Sequence, residues 1–151
     1  MTEYGPLDDS RVFELYPDVQ LTRDNIEHYR ALACGKLVIN RCHQCHYWIY
    51  PHRPICPECL SWNVTPEEVS GYGRVFMFTL LHQLRDPKSM IYEPVPVAAV
   101  ELVEQKGLRY LSRIVNCAPE DISHDMEVRL TWFHEDDLPW PAFEPIGGGD
   151  S

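Results

Sequence analysis

The chain has 151 residues, 13 basic and 23 acidic side chains, and a formal net charge of −10. This length suits one medium domain or two small modules, and the acidic balance argues against nucleic-acid binding because phosphate groups would be repelled. No apolar run approaches the roughly 18 residues of a membrane span. Residues 1–20 are acidic and lack the apolar core of a signal peptide, so we expect no membrane association and a cytoplasmic protein.

The first predicted element is a helix from about Arg23 to Cys34, which follows a polar leader. Thr22 or Asp24 can cap its N-terminus, and Gly35 is suited to end it. So short a helix is marginal in isolation. We therefore expect it to pack against the rest of the chain.

The next segment contains two C-x2-C turns separated by ten residues, with the cysteines Cys42, Cys45, Cys56 and Cys59. Tetrahedral Zn²⁺ binds four thiolates at about 2.3 Å, and paired turns of this kind supply them. Leu37–Ile39 is predicted to be the strand that enters the first turn, and Tyr47–Tyr50 the strand that leaves it. The segment therefore predicts a rubredoxin-like zinc ribbon with a structural zinc ion.

Other uses of these cysteines fit less well. Disulfides need an oxidising compartment, and a redox C-x-x-C motif normally stands alone beside a βαβ pattern. Iron in a rubredoxin-type site is the main rival to zinc. The neighbouring His43 and His46 are not expected to be ligands, because four thiolates complete the tetrahedron. His52 is expected to be an exposed loop residue.

The rest of the chain is predicted to be all-β. Gly71 and Gly73 open the first strand, where glycine suits a bend or bulge, and residues 104–107 form a hairpin turn. A helical turn can form between Ala118 and Asp121. The predicted strands are Arg74–Leu84, Val95–Val103, Leu108–Val115 and Glu127–Phe133.

Four or five curved antiparallel strands in about 80 residues favour a small closed barrel, with an OB-fold the best fit and an SH3-like barrel the alternative. The predicted fold class is therefore mainly β: an N-terminal helix, a rubredoxin-like zinc ribbon and a small antiparallel OB-fold barrel. The predicted domain limits are residues 1–35 for the leader and helix, 36–64 for the ribbon, 65–146 for the barrel and 147–151 for the tail.

Over residues 20–146 the chain resembles the zinc-ribbon/OB-fold proteins known as domain of unknown function 35. The matching segments are Cys42–Cys45, Pro54–Cys59, Gly71–Val75 leading into Phe78–Thr79, Pro96–Leu102, Leu138–Pro139 and Phe143–Pro145. One departure is the turn before Met126, where Ser123-His124-Asp125 replaces the usual glycine.

The resemblance implies an accessory subunit of a thiolase-like enzyme, in a hetero-oligomer that acts on an acyl-CoA ester. The partner would carry the chemistry, either aldol cleavage of a steroid side-chain CoA ester or acyl transfer. The zinc-ribbon/OB chain would dock on it, help to shape the acyl-CoA channel and have no turnover alone.

No catalytic residue is predicted for this chain. No Cys/His or Ser/His pair with an orienting acid has a supporting spacing. His82, His124 and His134 fit ordinary surface residues better than general bases. Cys117 is followed by Glu120 and Asp121, which oppose thiolate formation.

Two further sets of residues are candidates for binding. Phosphate groups of CoA need several cationic contacts, and the barrel offers Arg74, Arg85, Lys88, Arg109 and Arg113. Interfaces are rich in Tyr and Trp, and the candidates for the partner interface are Tyr47, Trp48, Tyr50, Trp140 and Phe143. Scattered solubilising charges and core aromatic residues are the alternative interpretations.

Two other functional classes share these modules. A single-stranded nucleic-acid-binding protein can combine a zinc ribbon with an OB-fold, although the acidic charge opposes it. A rubredoxin-like electron carrier would hold iron in the same four thiolates.

Overall fold

The computed structural model describes residues 7–81, 94–135 and 137–147. They form two helices, a short 3-10 turn at Pro119–Asp121 and eight strands. The helices are α1 (Asp9–Leu15) and α2 (Ile26–Ala33). The strands are β1 (Val38–Cys42), β2 (Trp48–Ile49), β3 (Val64–Glu68), β4 (Tyr72–Leu81), β5 (Val95–Leu102), β6 (Arg109–Ile114), β7 (Glu127–Glu135) and β8 (Leu138–Pro145).

The chain folds into two compact units. The ribbon unit comprises the residues up to Ser70 together with Trp132–Pro141, and the barrel unit comprises Gly71–Thr131 with the residues from Ala142 onward. The predicted domain limits at residues 35, 64 and 146 stay a prediction. Among the described residues no helix is long and apolar enough to cross a membrane.

In the ribbon unit, β1 is the central strand of a three-stranded antiparallel sheet in the order β2-β1-β3. It pairs with β2 through Asn40 and Arg41, and with β3 along its whole length. Strand β3 was not predicted, because its sequence contains Pro66 followed by two acidic residues, and proline is disfavoured inside sheets.

The two helices are joined by a buried arginine. Arg30 on α2 is only 2% exposed, and it donates to the carboxylate of Asp9 at 2.5 Å, to Glu27 at 2.8 Å and to the carbonyl oxygen of Leu7 at 2.5 Å. Helix α1 was not predicted. It is seven residues long, begins after Asp8, whose side chain accepts from the Arg11 N–H, and buries only Val12.

A histidine pair lies in the ribbon unit. The rings of His28 and His52 are 4.8 Å apart, and neither nitrogen of His52 has a hydrogen-bond partner among the described residues. Burial lowers the pKa of His28 to about 3 and that of His52 to about 4. His52 lies in a loop as expected, but the expectation that it is exposed is wrong, because its side chain is half-buried and its ring contacts those of His28 and Tyr50.

We expect this pair to make the stability of the protein fall with acidification. An ordinary histidine pKa of about 6.5 in the unfolded chain lies above both folded values, so the unfolded chain binds more protons below pH 6.5. Stability is therefore full above about pH 6.5 and is lost as the pH falls towards 4, by up to about 1.4 kcal/mol per pH unit for each histidine. The measurement is the free energy of unfolding in urea between pH 7.5 and pH 4.

His28→Gln and His52→Gln should each make this decline shallower. The control is His134→Gln at an exposed position, which should leave the slope unchanged. Equal stability of the wild-type protein at pH 7 and pH 4.5 would contradict the prediction.

A closed barrel has the strand order β4-β5-β6-β8-β7, and its strands belong to the barrel unit except for the end of β7 and the start of β8, which fall within Trp132–Pro141. Strand β5 pairs antiparallel with β4 on one side and with β6 on the other, and β4 also pairs with the start of β7. A register shift between Val75 and Met77 bends β4. Strand β8 pairs with β6 in parallel through Ala142 and Phe143. The fold class predicted from the sequence is confirmed.

Glycine at position 73 is required by a close approach of two strands. A Cβ atom there would lie 2.6 Å from the carbonyl oxygen of Glu101 and 2.7 Å from a methyl carbon of Val100. Because a backbone atom cannot move aside cheaply, we expect Gly73→Ala to destabilise the protein by about 1–3 kcal/mol, measured by urea unfolding.

Gly107 provides the control for this substitution. It has open space around its Cβ direction but a φ of +86°, which asparagine tolerates better than most residues. Gly107→Asn should therefore have the smaller effect. A Gly73→Ala variant as stable as the wild type would show that the β4–β5 approach can relax.

Candidate metal centre

The four predicted cysteines come together at one end of the ribbon sheet. The Sγ atoms of Cys42, Cys45, Cys56 and Cys59 all lie within 4.8 Å of one another. Two of the separations, Cys42 to Cys59 and Cys45 to Cys56, are 3.5 Å. Corners of a tetrahedron with sulfur about 2.3 Å from its centre are about 3.8 Å apart. The cluster therefore has the size and donor set to hold one metal ion.

Both cysteine turns have the same backbone geometry. In the first turn the His46 N–H donates to the Cys42 carbonyl at 2.9 Å, and in the second the Leu60 N–H donates to the Cys56 carbonyl at 2.9 Å. His46 and Leu60 both have positive φ values, 68° and 63°. The two turns therefore have matching conformations, and the short separations between their sulfur atoms place them around a common centre.

Backbone amides donate to the sulfur atoms. The N–H groups of Gln44 and Cys45 lie 3.3 and 3.5 Å from the Cys42 Sγ, and the N–H of Glu58 lies 3.4 Å from the Cys56 Sγ. Such donors stabilise thiolates. The spacing of a C-x2-C turn predicts these donors only indirectly, through the turn it forms.

The thiol groups of the cluster differ in how readily they lose a proton. Burial opposes ionisation of Cys42, but the amides of Cys45 and Gln44 outweigh it and lower the pKa of the Cys42 thiol to about 6. The Tyr47 amide favours the Cys45 thiolate, yet burial and the adjacent thiols raise the pKa of Cys45 to about 12. Four adjacent thiolates repel one another, and a bound dication removes this conflict.

Apolar side chains cover one side of the cluster, whereas Cys45 and Cys59 are exposed. Cys42, Ile49 and Cys56 are buried together, with Tyr47 and Val64 packed against them. His43 is turned away, because its Nε2 contacts the Thr65 hydroxyl. Val64 belongs to the unpredicted strand β3, so its role in covering the cluster was missed.

The residues predicted for the partner interface differ in burial and contact other residues of this chain; their role at an interface stays a prediction. Trp48 and Phe143 are buried, at 6% and 0% exposure, and the Arg41 guanidinium lies 4.6 Å over the Trp48 ring. Tyr50 contacts His52, and Trp140 contacts Tyr16 edge-on at 5.4 Å. Tyr47, Tyr50 and Trp140 stay partly accessible.

Three of the predicted CoA-binding cations lie on described strands of the barrel, and their binding of CoA stays a prediction: Arg74 and Arg109 are the register partners of Glu101 on the two neighbouring strands. Arg74 pairs with Glu127 at 2.9 Å. Arg109 lies 3.4 Å from Glu101 and 3.5 Å over the Phe76 ring. Arg113 is half-buried on β6, and Arg85 and Lys88 lie outside the described residues.

The weak candidates for catalysis have ordinary surroundings. The Nδ1 atom of His124 lies 3.2 Å from the Phe76 carbonyl oxygen, and His134 is exposed on β7. Burial, together with the carboxylates of Asp121 and Glu120, raises the pKa of the Cys117 thiol, which disfavours the nucleophilic thiolate. His82 lies outside the described residues.

Comparisons with known proteins place the fold and the site in context. Residues 66–133 match the family described as "ChsH2, C-terminal OB-fold domain". A "Probable enoyl-CoA hydratase alpha subunit" from Thermomonospora curvata is 35% identical over 132 residues, which are 87% of this chain and 40% of that protein. The chain thus spans less than half the length of this relative.

Two other matches cover most of the protein they are compared with. A "DUF35 domain-containing scaffold protein" from Pyrococcus furiosus is 36% identical over 97 residues, or 63% of this chain and 67% of that protein. The solved structure "Ltp2-ChsH2(DUF35) aldolase" contains a chain with 33% identity and a TM-score of 0.74, and the match covers 84% of this chain and 98% of that one. With its four-cysteine cluster and closed barrel, the chain therefore belongs to the DUF35 family.

Proposed function

We propose that this chain is a non-catalytic, zinc-binding accessory subunit that docks on a thiolase-like enzyme and helps to form its acyl-CoA channel. The observation that carries the proposal is the similarity to the DUF35 chain of an aldolase complex, at 33% identity over nearly all of that chain. The scaffold role printed for the archaeal relative supports it. The partner would carry either aldol cleavage of a steroid side-chain CoA ester or acyl transfer.

Zinc is the ion proposed for the cysteine cluster. Four thiolates in tetrahedral spacing suit zinc in a structural site, with no position left open for a substrate. Its role would be to join the two cysteine turns and not to take part in a reaction. Six cysteines without a disulfide among them fit a reducing, cytoplasmic compartment.

Metal analysis of the purified chain tests this part of the proposal. We expect a colourless protein with one zinc ion per chain. A red protein with iron and a reversible redox midpoint would support the electron-carrier alternative.

Complex formation tests the accessory role. The full chain is co-expressed with each candidate thiolase-like protein from its own genome, and the mixture is analysed by size-exclusion chromatography with light scattering. We expect a hetero-oligomer that elutes ahead of either component. Separate elution at micromolar concentrations would contradict the proposal, and binding of single-stranded oligonucleotides at low salt would favour the nucleic-acid alternative.

A further inference from the structure

Half of the cysteine cluster is open to solvent. Cys45 in the first turn and Cys59 in the second turn are exposed, whereas Cys42 and Cys56 are fully buried. The neighbours of the two open cysteines are exposed as well: Gln44, His46, Glu58 and Leu60. A structural zinc site needs four thiolates but no access from solvent, so a structural role of the metal does not by itself account for the open side.

Each exposed sulfur atom lies beside a buried sulfur atom of the other turn. The Cys59 Sγ is 3.5 Å from that of Cys42, and the Cys45 Sγ is 3.5 Å from that of Cys56. A disulfide bond is about 2.05 Å long, so each pair would have to approach by only about 1.5 Å to form one. The cluster is therefore arranged as two pairs, each with one accessible and one protected thiol.

We propose that Cys45 and Cys59 are oxidation sites, and that their oxidation links the two turns through the disulfides Cys45–Cys56 and Cys42–Cys59. The oxidant is a peroxide, which reacts with accessible thiolates. The exposed sulfur of each pair reacts first, and the buried sulfur resolves the product. This inference goes beyond the proposed function, since it makes the metal centre sensitive to oxidation, and it rests on the zinc ion proposed for the cluster.

Each disulfide forms in two steps that use one molecule of hydrogen peroxide. The exposed thiolate attacks one oxygen of the peroxide, the O–O bond breaks, and a sulfenic acid and a hydroxide ion form. The buried thiolate then attacks the sulfenic sulfur, the S–S bond forms, and a second hydroxide ion leaves. The two sulfur atoms lose two electrons, which the peroxide gains. Protons from solvent convert the two hydroxide ions into water.

Oxidation of this kind releases the metal ion but keeps the two turns joined. Thiolates are metal ligands and disulfide sulfur is not, so the oxidised cluster no longer holds the ion. Both disulfides cross from one turn to the other, so they still constrain the ribbon. Disulfides within the turns, Cys42–Cys45 and Cys56–Cys59, would leave the turns unconnected. In a reducing compartment such bonds are transient, as in redox sensing.

The test uses the full chain without its two other thiols. Cys34 is exposed and Cys117 is half-buried, and both lie outside the cluster. The chain with Cys34→Ser and Cys117→Ser is loaded with zinc and treated with hydrogen peroxide. We expect the loss of one zinc ion per chain, measured with a chromogenic zinc indicator. Reduction with dithiothreitol and addition of zinc should restore binding.

The pairing of the cysteines is measured by mass spectrometry after digestion of the oxidised protein with chymotrypsin. Cleavage after Tyr47 and Trp48 separates the two turns in the sequence. Disulfides between the turns hold the resulting peptides together until they are reduced, whereas disulfides within a turn release them. We expect the joined form, and fragmentation should identify the pairs Cys42–Cys59 and Cys45–Cys56.

Chelation of the same protein is the matched control. It removes the ion but leaves four unlinked thiols, so the chelated chain should lose the structure of its ribbon. The oxidised chain, at the same loss of zinc, should keep the circular dichroism of the untreated protein. Equal loss of structure in the two samples would contradict the links between the turns.

The remaining outcomes separate this inference from the proposed function. Zinc that is retained under conditions that oxidise the exposed Cys34 of the wild-type chain would overturn the oxidation sites. Peptides that separate without reduction, or cysteines that end as sulfonic acids, would overturn the paired arrangement. A purified chain that holds no zinc before treatment would instead overturn the zinc ion proposed for the cluster.

Discussion

Replacing Cys42 with serine is expected to release the metal ion and unfold the ribbon unit. Its Sγ lies 3.5 Å from that of Cys59 and is buried in the cluster, so loss of one thiolate leaves three ligands around a buried gap. Binding of a structural zinc ion contributes about 10–16 kcal/mol in small zinc domains, which is as large as the whole folding free energy of about 5–15 kcal/mol. Circular dichroism, thermal melting and metal analysis measure the effect.

Cys34→Ser is the matched control for this change. Cys34 is exposed and lies outside the cluster, so this variant should keep its metal ion and melt within a few degrees of the wild type. Chelation of the wild-type protein should reproduce the Cys42→Ser result. An unchanged melting curve after loss of the ion would show that the metal is not structural.

Replacing Arg30 with alanine is expected to be the second most damaging change. The guanidinium is almost fully buried and bonds to Asp9, Glu27 and the Leu7 carbonyl oxygen. Breaking a buried ion pair costs about 3–5 kcal/mol when the charge left behind is also buried. Because Asp9 is exposed and can be rehydrated, we expect a smaller loss of about 2–3 kcal/mol in the free energy of unfolding.

Arg11→Ala provides the comparison. Arg11 pairs with Glu14 at 2.9 Å, but both side chains are more than half exposed, and such surface pairs contribute about 0–1 kcal/mol. Its urea unfolding midpoint should stay near that of the wild type. Equal losses in the two variants would show that burial does not set the contribution of Arg30.

The metal-binding cluster was predictable from the sequence because its information is local. Each C-x2-C turn brings two thiols together by itself. To predict the four-cysteine cluster, it was then enough to assume that the two turns share one metal ion. The strands that border them, the hairpin at residues 104–107 and β7 were likewise indicated by local alternation and turn residues. These elements begin and end within a few residues of their predicted limits.

Other elements could not be read from local patterns. Strand β8 contains Pro139, Pro141 and Pro145, which lack an N–H donor and normally argue against a strand. It is tolerated because it makes few ladder contacts with β6, at Ala142 and Phe143. Besides its sequence neighbour β7, it pairs in parallel with β6, more than twenty residues earlier in the chain, and no local pattern shows that pairing.

The binding candidates were the hardest to predict. Sequence reasoning selected barrel arginines as candidates for binding the phosphate groups of CoA, and that role stays a prediction. The carboxylates of Glu127 and Glu101 lie 2.9 and 3.4 Å from Arg74 and Arg109, contacts between strands that no local pattern of the sequence shows. Likewise, burial of the histidine pair depends on contact between α2 and a loop more than twenty residues away.

The most direct measurement is turnover of acyl-CoA esters by three preparations: the purified chain, the thiolase-like partner, and the reconstituted mixture. A steroid side-chain CoA ester and acetyl-CoA are the first substrates to try. The account predicts that the chain alone is inactive and that adding it to the partner raises turnover. Cleavage or acyl transfer by the rigorously purified chain would contradict it.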